Sequence, residues 1–220
     1  PDLDTVPRPL LLWRSLTHWI GGIGIVVVFL VILPSVGAAR QRLFQVETPG
    51  PDISERGLRP TAGEAAKKLT TLYLMITAAA LGGYLLGGMG AFDAVNHAFS
   101  VVATGGFSTK DESIAAFATP FIEWWTILIM IMVGLNFTLL GQLLRGRLGV
   151  LRDLETKTYL GLKITCSVLT ALVLTFSLTV WQDTAGTEHT GFFAALRHGT
   201  FVTVAMQTGP GYCLSDYSAW

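Results

Sequence analysis

The chain has 220 residues, of which 51% are hydrophobic and 14% charged, with 15 basic and 15 acidic side chains and no formal net charge. The apolar residues gather into runs longer than a soluble core needs, which excludes an ordinary globular domain and places the chain in a membrane. Balanced charge says nothing about partners by itself; the positions of the charges do, and they mark no nucleic-acid surface.

Residues 10–34 form the first predicted span, through Ile20-Gly21-Gly22-Ile23-Gly24, with Arg14 and His18 near its outer end. Those two ionisable residues are transport suspects, yet both lie close enough to the interface to snorkel or to brace neighbouring loops. The glycines at 21, 22 and 24 follow no strand and lack the third glycine of a dinucleotide fingerprint. A basic loop follows, with Arg40, Arg42, Arg56, Arg59, Lys67 and Lys68. The second span, 69–88, carries Gly83 and Gly87 at a spacing that permits close helix contact.

Residues 91–103 are amphipathic, too short to cross a bilayer, and run directly into Thr104-Gly105-Gly106-Phe107. The third span, 121–144, places Trp124 and Trp125 in an outer aromatic belt and Asn136 as a buried mid-span amide, lining a pore or bonding a neighbouring helix. Arg145, Arg147, Arg152 and Lys157 follow it. The fourth span, 159–181, begins near Lys163, which is expected to reach the cytoplasmic interface, and ends at Trp181 in the aromatic belt. A second short segment, 192–207, then runs into Thr208-Gly209-Pro210-Gly211-Tyr212. Ten of the fifteen basic residues sit on the two loops after the first and third spans, so both loops are predicted cytoplasmic, and the short helices dip in from outside.

The two Thr/Gly segments are the candidate site. Gly106 and Gly211 lie 105 residues apart, each followed by an aromatic residue and, five positions on, by an aspartate, Asp111 or Asp216. Irregular backbone at bilayer depth is tolerated only where it is buried or lines a water-filled path. Stripping a monovalent cation of water calls for replacement oxygens, and backbone carbonyls supply them without a full charge. Glycine permits the φ values that turn successive carbonyls toward one axis, and threonine adds a hydroxyl oxygen. The preceding helix aims the negative end of its dipole at the same place. Ala103, Thr104, Gly105, Gly106 and Phe107, with Thr208, Gly209, Pro210, Gly211 and Tyr212, are therefore the predicted ion-binding residues. Thr104, Gly105, Gly106, Thr208, Gly209 and Gly211 are those expected to hold the metal ion. Asn136, Asp111, Asp216 and Arg14 are further pore or vestibule candidates. Glu123, Asp111 and Asp216 either concentrate cations or serve as helix caps and loop partners.

Other chemistry has little support. Cys166 and Cys213 fall on a span and at the outer face, an unpromising pair for a disulfide. No CxxC, HExxH or His/Cys cluster marks a metal enzyme, and no cofactor is expected. Pro1 is not an initiator, no secretory signal precedes the first span, and the chain stops at Trp220, so the expectation is an internal fragment.

Several motifs together resemble the Trk/Ktr/HKT superfamily of potassium and sodium transporters, most closely the bacterial Trk-type membrane subunit. They are Trp13-Arg14-Ser15 with Trp19-Ile20-Gly21-Gly22-Ile23-Gly24, Glu47-Thr48-Pro49-Gly50-Pro51, His97-Ala98-Phe99-Ser100 leading to Ala103-Thr104-Gly105-Gly106-Phe107-Ser108-Thr109, and Gly211-Tyr212 with Asp216-Tyr217. The resemblance implies an all-α integral membrane fold of helix–pore loop–helix repeats, potassium-channel-like, of which this chain holds about half of a four-repeat pore. Residues 1–37 then hold the second helix of repeat one, 38–68 a cytoplasmic loop and 69–144 repeat two. Residues 145–158 form another cytoplasmic loop, and 159–220 the first helix, pore helix and filter of repeat three.

The resemblance also implies potassium uptake in a bacterial inner membrane, a homodimer, and a cytoplasmic nucleotide-binding regulatory ring. One departure stands out: the third filter commonly reads Thr-Thr-Thr-Gly, and here it is Thr208-Gly209-Pro210-Gly211. Proline removes an N–H but keeps its carbonyl. Aligning Gly106 with Gly211 also sets Thr104 opposite Gly209 and Ala103 opposite Thr208. The alternatives are a sodium or mixed-cation transporter of the same superfamily, or a proton-coupled carrier relaying through Arg14, His18, Lys163 and Glu123. The span-end positions of those four argue against the carrier, and no clustered catalytic set suggests an enzyme.

Overall fold

The computed structural model describes residues 3–24, 62–117, 119–177 and 181–215. Asp216, residues 25–34 of the first predicted span and most of the loop 38–68 lie outside them. Helix α1 occupies residues 8–24. It is followed by α2 (Ala62–Leu86), α3 (Ala91–Val102), α4 (Pro120–Gly134), α5 (Phe137–Leu143), α6 (Leu154–Ser177) and α7 (Phe192–Thr208). Two of these, α2 and α6, contain stretches long and apolar enough to cross a membrane, Lys67–Leu86 and Leu154–Phe176.

Local chemistry accounts for several boundaries. Pro120 opens α4 at a position where its missing N–H costs nothing. Asp93 lies in the first turn of α3, where the helix dipole favours an acid. Gly209 closes α7 with a left-handed φ of 98°. Helix α3 packs against α2 and α4, and α7 against α6 and α4. Trp125 fills the space that the absent side chain of Gly83 leaves, and Ile122 and Phe121 do the same at Gly87, which brings α2 and α4 close. Tyr84, Ile129, Met130 and Phe201 lie in the resulting core, with almost no exposure.

Four expectations need correction. The third span is not one helix: α4 has 15 residues, about 22 Å, and stops before the extended residue Leu135. Asn136, read as a buried amide, is exposed between α4 and α5. Trp181, assigned to an aromatic belt, is 5% exposed and forms part of a small hairpin of β1 (Trp181–Gln182) and β2 (Glu188–His189). Helices α2 and α6 also begin earlier than 69 and 159, so the ends of both predicted loops are helical.

Candidate functional site

Helix α3 ends in a chain of backbone bonds that folds the first Thr/Gly segment back beneath it. The Thr104 amide donates to the Val101 carbonyl at 3.1 Å and the Gly105 amide to Ser100 at 2.8 Å. The Phe107 amide then donates to Ser100 Oγ at 2.7 Å. At the end of α7 the amides of Gly209 and Gly211 share the Ala205 carbonyl, at 3.2 and 3.1 Å. Pro210, at the position matching Gly105, has no N–H to give, and the bond moves one residue along.

The two segments share a backbone signature that their side chains conceal. Thr104 and Gly106 have φ of 54° and 72°, and the matching Gly209 and Gly211 have 98° and 64°. Left-handed residues thus alternate at the same two positions of each segment. Thr104 is a β-branched residue in a conformation that normally excludes it, so glycine at 209 is the less strained solution to the same geometric requirement. The segments also touch: a Cβ on Gly106 would overlap the Pro210 carbonyl oxygen. Thr208 donates its hydroxyl proton to the Val204 carbonyl at 2.6 Å, which leaves the lone pairs of Oγ1 as acceptors.

Around the first segment, Arg14 Nη2 donates to the Ser108 carbonyl at 2.6 Å, and its guanidinium lies 4.1 Å from the Phe107 ring centroid. The His18 ring is 4.5 Å from Phe107, and its edge takes the place a side chain on Gly105 would need. Ser15 Oγ donates to Asn96 Oδ1 at 2.6 Å, fixing α1 to α3. Both basic residues therefore brace the loop behind the segment.

Sequence reasoning quoted His97 within a motif but gave it no role. Its ring is fully buried, with Nδ1 2.8 Å from the Asp93 carbonyl and Nε2 3.0 Å from Ser108 Oγ. A carbonyl only accepts, so Nδ1 carries the proton and Ser108 donates to Nε2. Tyr212 stacks on the same ring at 6.1 Å, linking the two segments through one histidine. Ser100, Ser108, Arg197, His198 and Ser215 were not singled out as site residues, because short polar residues on apolar helices have no sequence signature for what they will meet.

The remaining candidates are elsewhere. Asp111 is exposed and accepts the Leu3 amide at 3.1 Å. Glu123, read either as concentrating cations or as a helix cap or loop partner, is 5% exposed and ion-paired to Arg197 at 2.5 Å. Lys163, expected at the cytoplasmic interface, is 4% exposed, donates to Gln207 Oε1 at 3.4 Å and lies over the Tyr159 ring. Arg14 and His18 both pack on Phe107, whereas Glu123 pairs with Arg197 and Lys163 meets Gln207 and Tyr159, so among the described residues these four share no common hydrogen-bonded path. Among the described residues no group of three His, Cys, Asp or Glu side chains could hold a metal ion.

Two helices of bilayer length and apolarity, α2 and α6, packed against the helices α3 and α7 that lead into the Thr/Gly segments, define the class: a helical protein of membrane character. The fold matches the crystal structure of the potassium transporter TrkH from Vibrio parahaemolyticus with a TM-score of 0.77 and 27% identity, over 99% of this chain and 42% of that one. The chain belongs to the TrkH family of cation transport proteins, whose signature covers residues 1–220. Relatives include the Trk system potassium uptake protein TrkH of Salmonella typhimurium, 34% identical over 99% of this chain, and TrkI of Halomonas elongata, 38% identical. The chain spans 44% and 42% of the lengths of these two proteins.

Proposed function

We propose that this chain supplies two adjacent quarters of a selectivity filter for potassium uptake, as part of a longer Trk-type transporter. The observation that carries the reading is the matched alternation of left-handed residues, Thr104 and Gly106 against Gly209 and Gly211. Such alternation turns successive carbonyls to one side of the chain, as a dehydrated cation requires. The contact of Gly106 with the Pro210 carbonyl supports placing the two segments side by side around one axis.

In this reading α3 and α7 are pore helices entering from outside, residues 69–144 form repeat two, and 159–220 hold most of repeat three. The protein sits in a bacterial inner membrane as a multi-pass homodimer. Basic residues of the loops 38–68 and 145–158 face a cytoplasmic nucleotide-binding ring. A sodium-conducting variant of the same pore is the second reading, favoured only by Pro210 where the family has threonine.

The test places the complete gene in cells unable to accumulate potassium and compares Gly106→Ser and Gly211→Ser with the parent. Each substitution puts a side chain on a left-handed residue, a strain of about 1–3 kcal/mol, and uptake and potassium/sodium preference should fall roughly tenfold. Unchanged uptake and preference in both variants would sink the assignment.

A further inference from the structure

We propose that His198 is a positioning residue for the segment Thr208–Tyr212, acting through Ser215, and that Glu123 and Arg197 hold its ring in the one tautomer able to do so. The inference rests on the filter reading above. His198 and Ser215 are both fully buried, one within α7 and the other four residues beyond Gly211, and Nδ1 lies 2.5 Å from Ser215 Oγ. Nε2 faces Arg197 Nη2 at 3.5 Å. A guanidinium only donates, so Nε2 must present its lone pair, and Nδ1 carries the proton that it gives to Ser215. Arg197 is fixed in turn by the Glu123 carboxylate, which reaches it from α4 at 2.5 Å.

The surroundings reinforce this arrangement. The His189 ring lies 4.3 Å from that of His198 and is bonded to Asp183 at 3.0 Å. Asp183 also forms a backbone bridge with Ser215, and the Thr184 amide donates to the Leu214 carbonyl at 3.2 Å. The stretch after Gly211 is therefore held by the hairpin backbone, by Ser113 Oγ, which accepts the Cys213 amide at 3.3 Å, and by the bond of Ser215 to its own pore helix.

The first segment carries an independent version of the device with the donor reversed. Ser108, two residues beyond Gly106, donates to Nε2 of the buried His97 of α3. A histidine–serine bond within each pore unit fixes where the exit of the segment begins. Binding sites lose performance when first-contact groups shift by about half an ångström.

The experiment uses the full-length protein in proteoliposomes, with potassium and sodium fluxes measured for Ser215→Ala, His198→Leu, His198→Asn and Gly211→Ser. Ser215→Ala and His198→Leu should raise the half-saturating potassium concentration about fivefold, the size of one lost buried hydrogen bond. They should narrow the potassium/sodium preference to match, at an unchanged maximal rate. His198→Asn, whose amide can still donate to Ser215, should recover most of both.

Parental preference in Ser215→Ala and His198→Leu, alongside its loss in Gly211→Ser, overturns the role of His198 and leaves the filter reading standing. A fall in maximal rate or membrane abundance with preference intact assigns the bond to stability alone and likewise overturns the proposal. So does an asparagine variant no better than leucine. If Gly211→Ser also keeps its preference, the filter reading itself fails.

Discussion

Thr104 carries the most telling conflict between sequence and geometry at the residue scale. It occupies a left-handed conformation that costs an L-residue about 1–2 kcal/mol, while its counterpart Gly209 adopts the same conformation freely. Thr104→Gly should therefore raise the thermal stability of the folded chain, measured in detergent, while leaving the path of the segment unchanged. A fall in stability would mean that the threonine side chain holds the turn. Gly106 is the opposite case, because both its φ and its contact with Pro210 exclude a side chain. The glycine repeat was readable in the sequence as spacing. The equivalence of Thr104 and Gly209 was not, because a backbone conformation common to two segments leaves no mark where the residue types differ.

At the element scale, the break after α4 is a feature the sequence concealed. Residues 121–144 are largely apolar and contain no internal proline, and Gly134 and Asn136 give only a weak local signal for a stop. The stop is made by neighbours. The Leu135 amide turns to the Met132 carbonyl, and the Tyr159 hydroxyl of α6 donates to the Ile131 carbonyl at 3.0 Å, replacing the lost helical bond. Gly134 leaves room for that hydroxyl and for the Thr208 methyl group. Tyr159→Phe should cost about 1 kcal/mol. Gly134→Ala should cost about 1–3 kcal/mol, since it overfills a packed site. Denaturation midpoints in detergent check both, and a silent Gly134→Ala would refute the close approach.

The hairpin between α6 and α7 was also not foreseen, and it has its own pH signature. Burial opposes ionisation of Asp183, but the His189 ring and the Thr187 and Ala185 amides outweigh it and hold the carboxyl below its ordinary value of 3.8. The stabilisation is thus present above that pH and is lost as the pH falls through the lower folded value. Asp183→Asn should loosen the hairpin at neutral pH, and the difference from the parent should vanish in strong acid. Thermal unfolding across pH tests this, and equal stability of the two proteins at neutral pH would contradict it.

For the whole molecule, two kinds of charge were distinguished only by packing. Glu123 and Arg197 form a buried pair joining α4 to α7, whereas Arg145, Arg147 and Arg152 remain exposed between α5 and α6, as does Lys157 at the start of α6. Replacing those four by glutamate in the complete protein should weaken binding of the proposed regulatory ring at least tenfold, if each contributes only a modest surface attraction of about 0.5 kcal/mol. Co-purification at low and high salt measures this, and binding that survives all four replacements would exclude the loop as the contact surface. By itself the sequence determined the family, the helical membrane character and the two Thr/Gly segments, because apolar run length and glycine spacing are local properties of the chain. The tertiary structure decided that Asn136 is exposed, that Glu123 and Lys163 are buried against partners, and that a histidine–serine bond ties the stretch after each Thr/Gly segment to the helix before it. Those outcomes depend on which helix faces which, and residues far apart in the chain carry no local record of the neighbour they will meet.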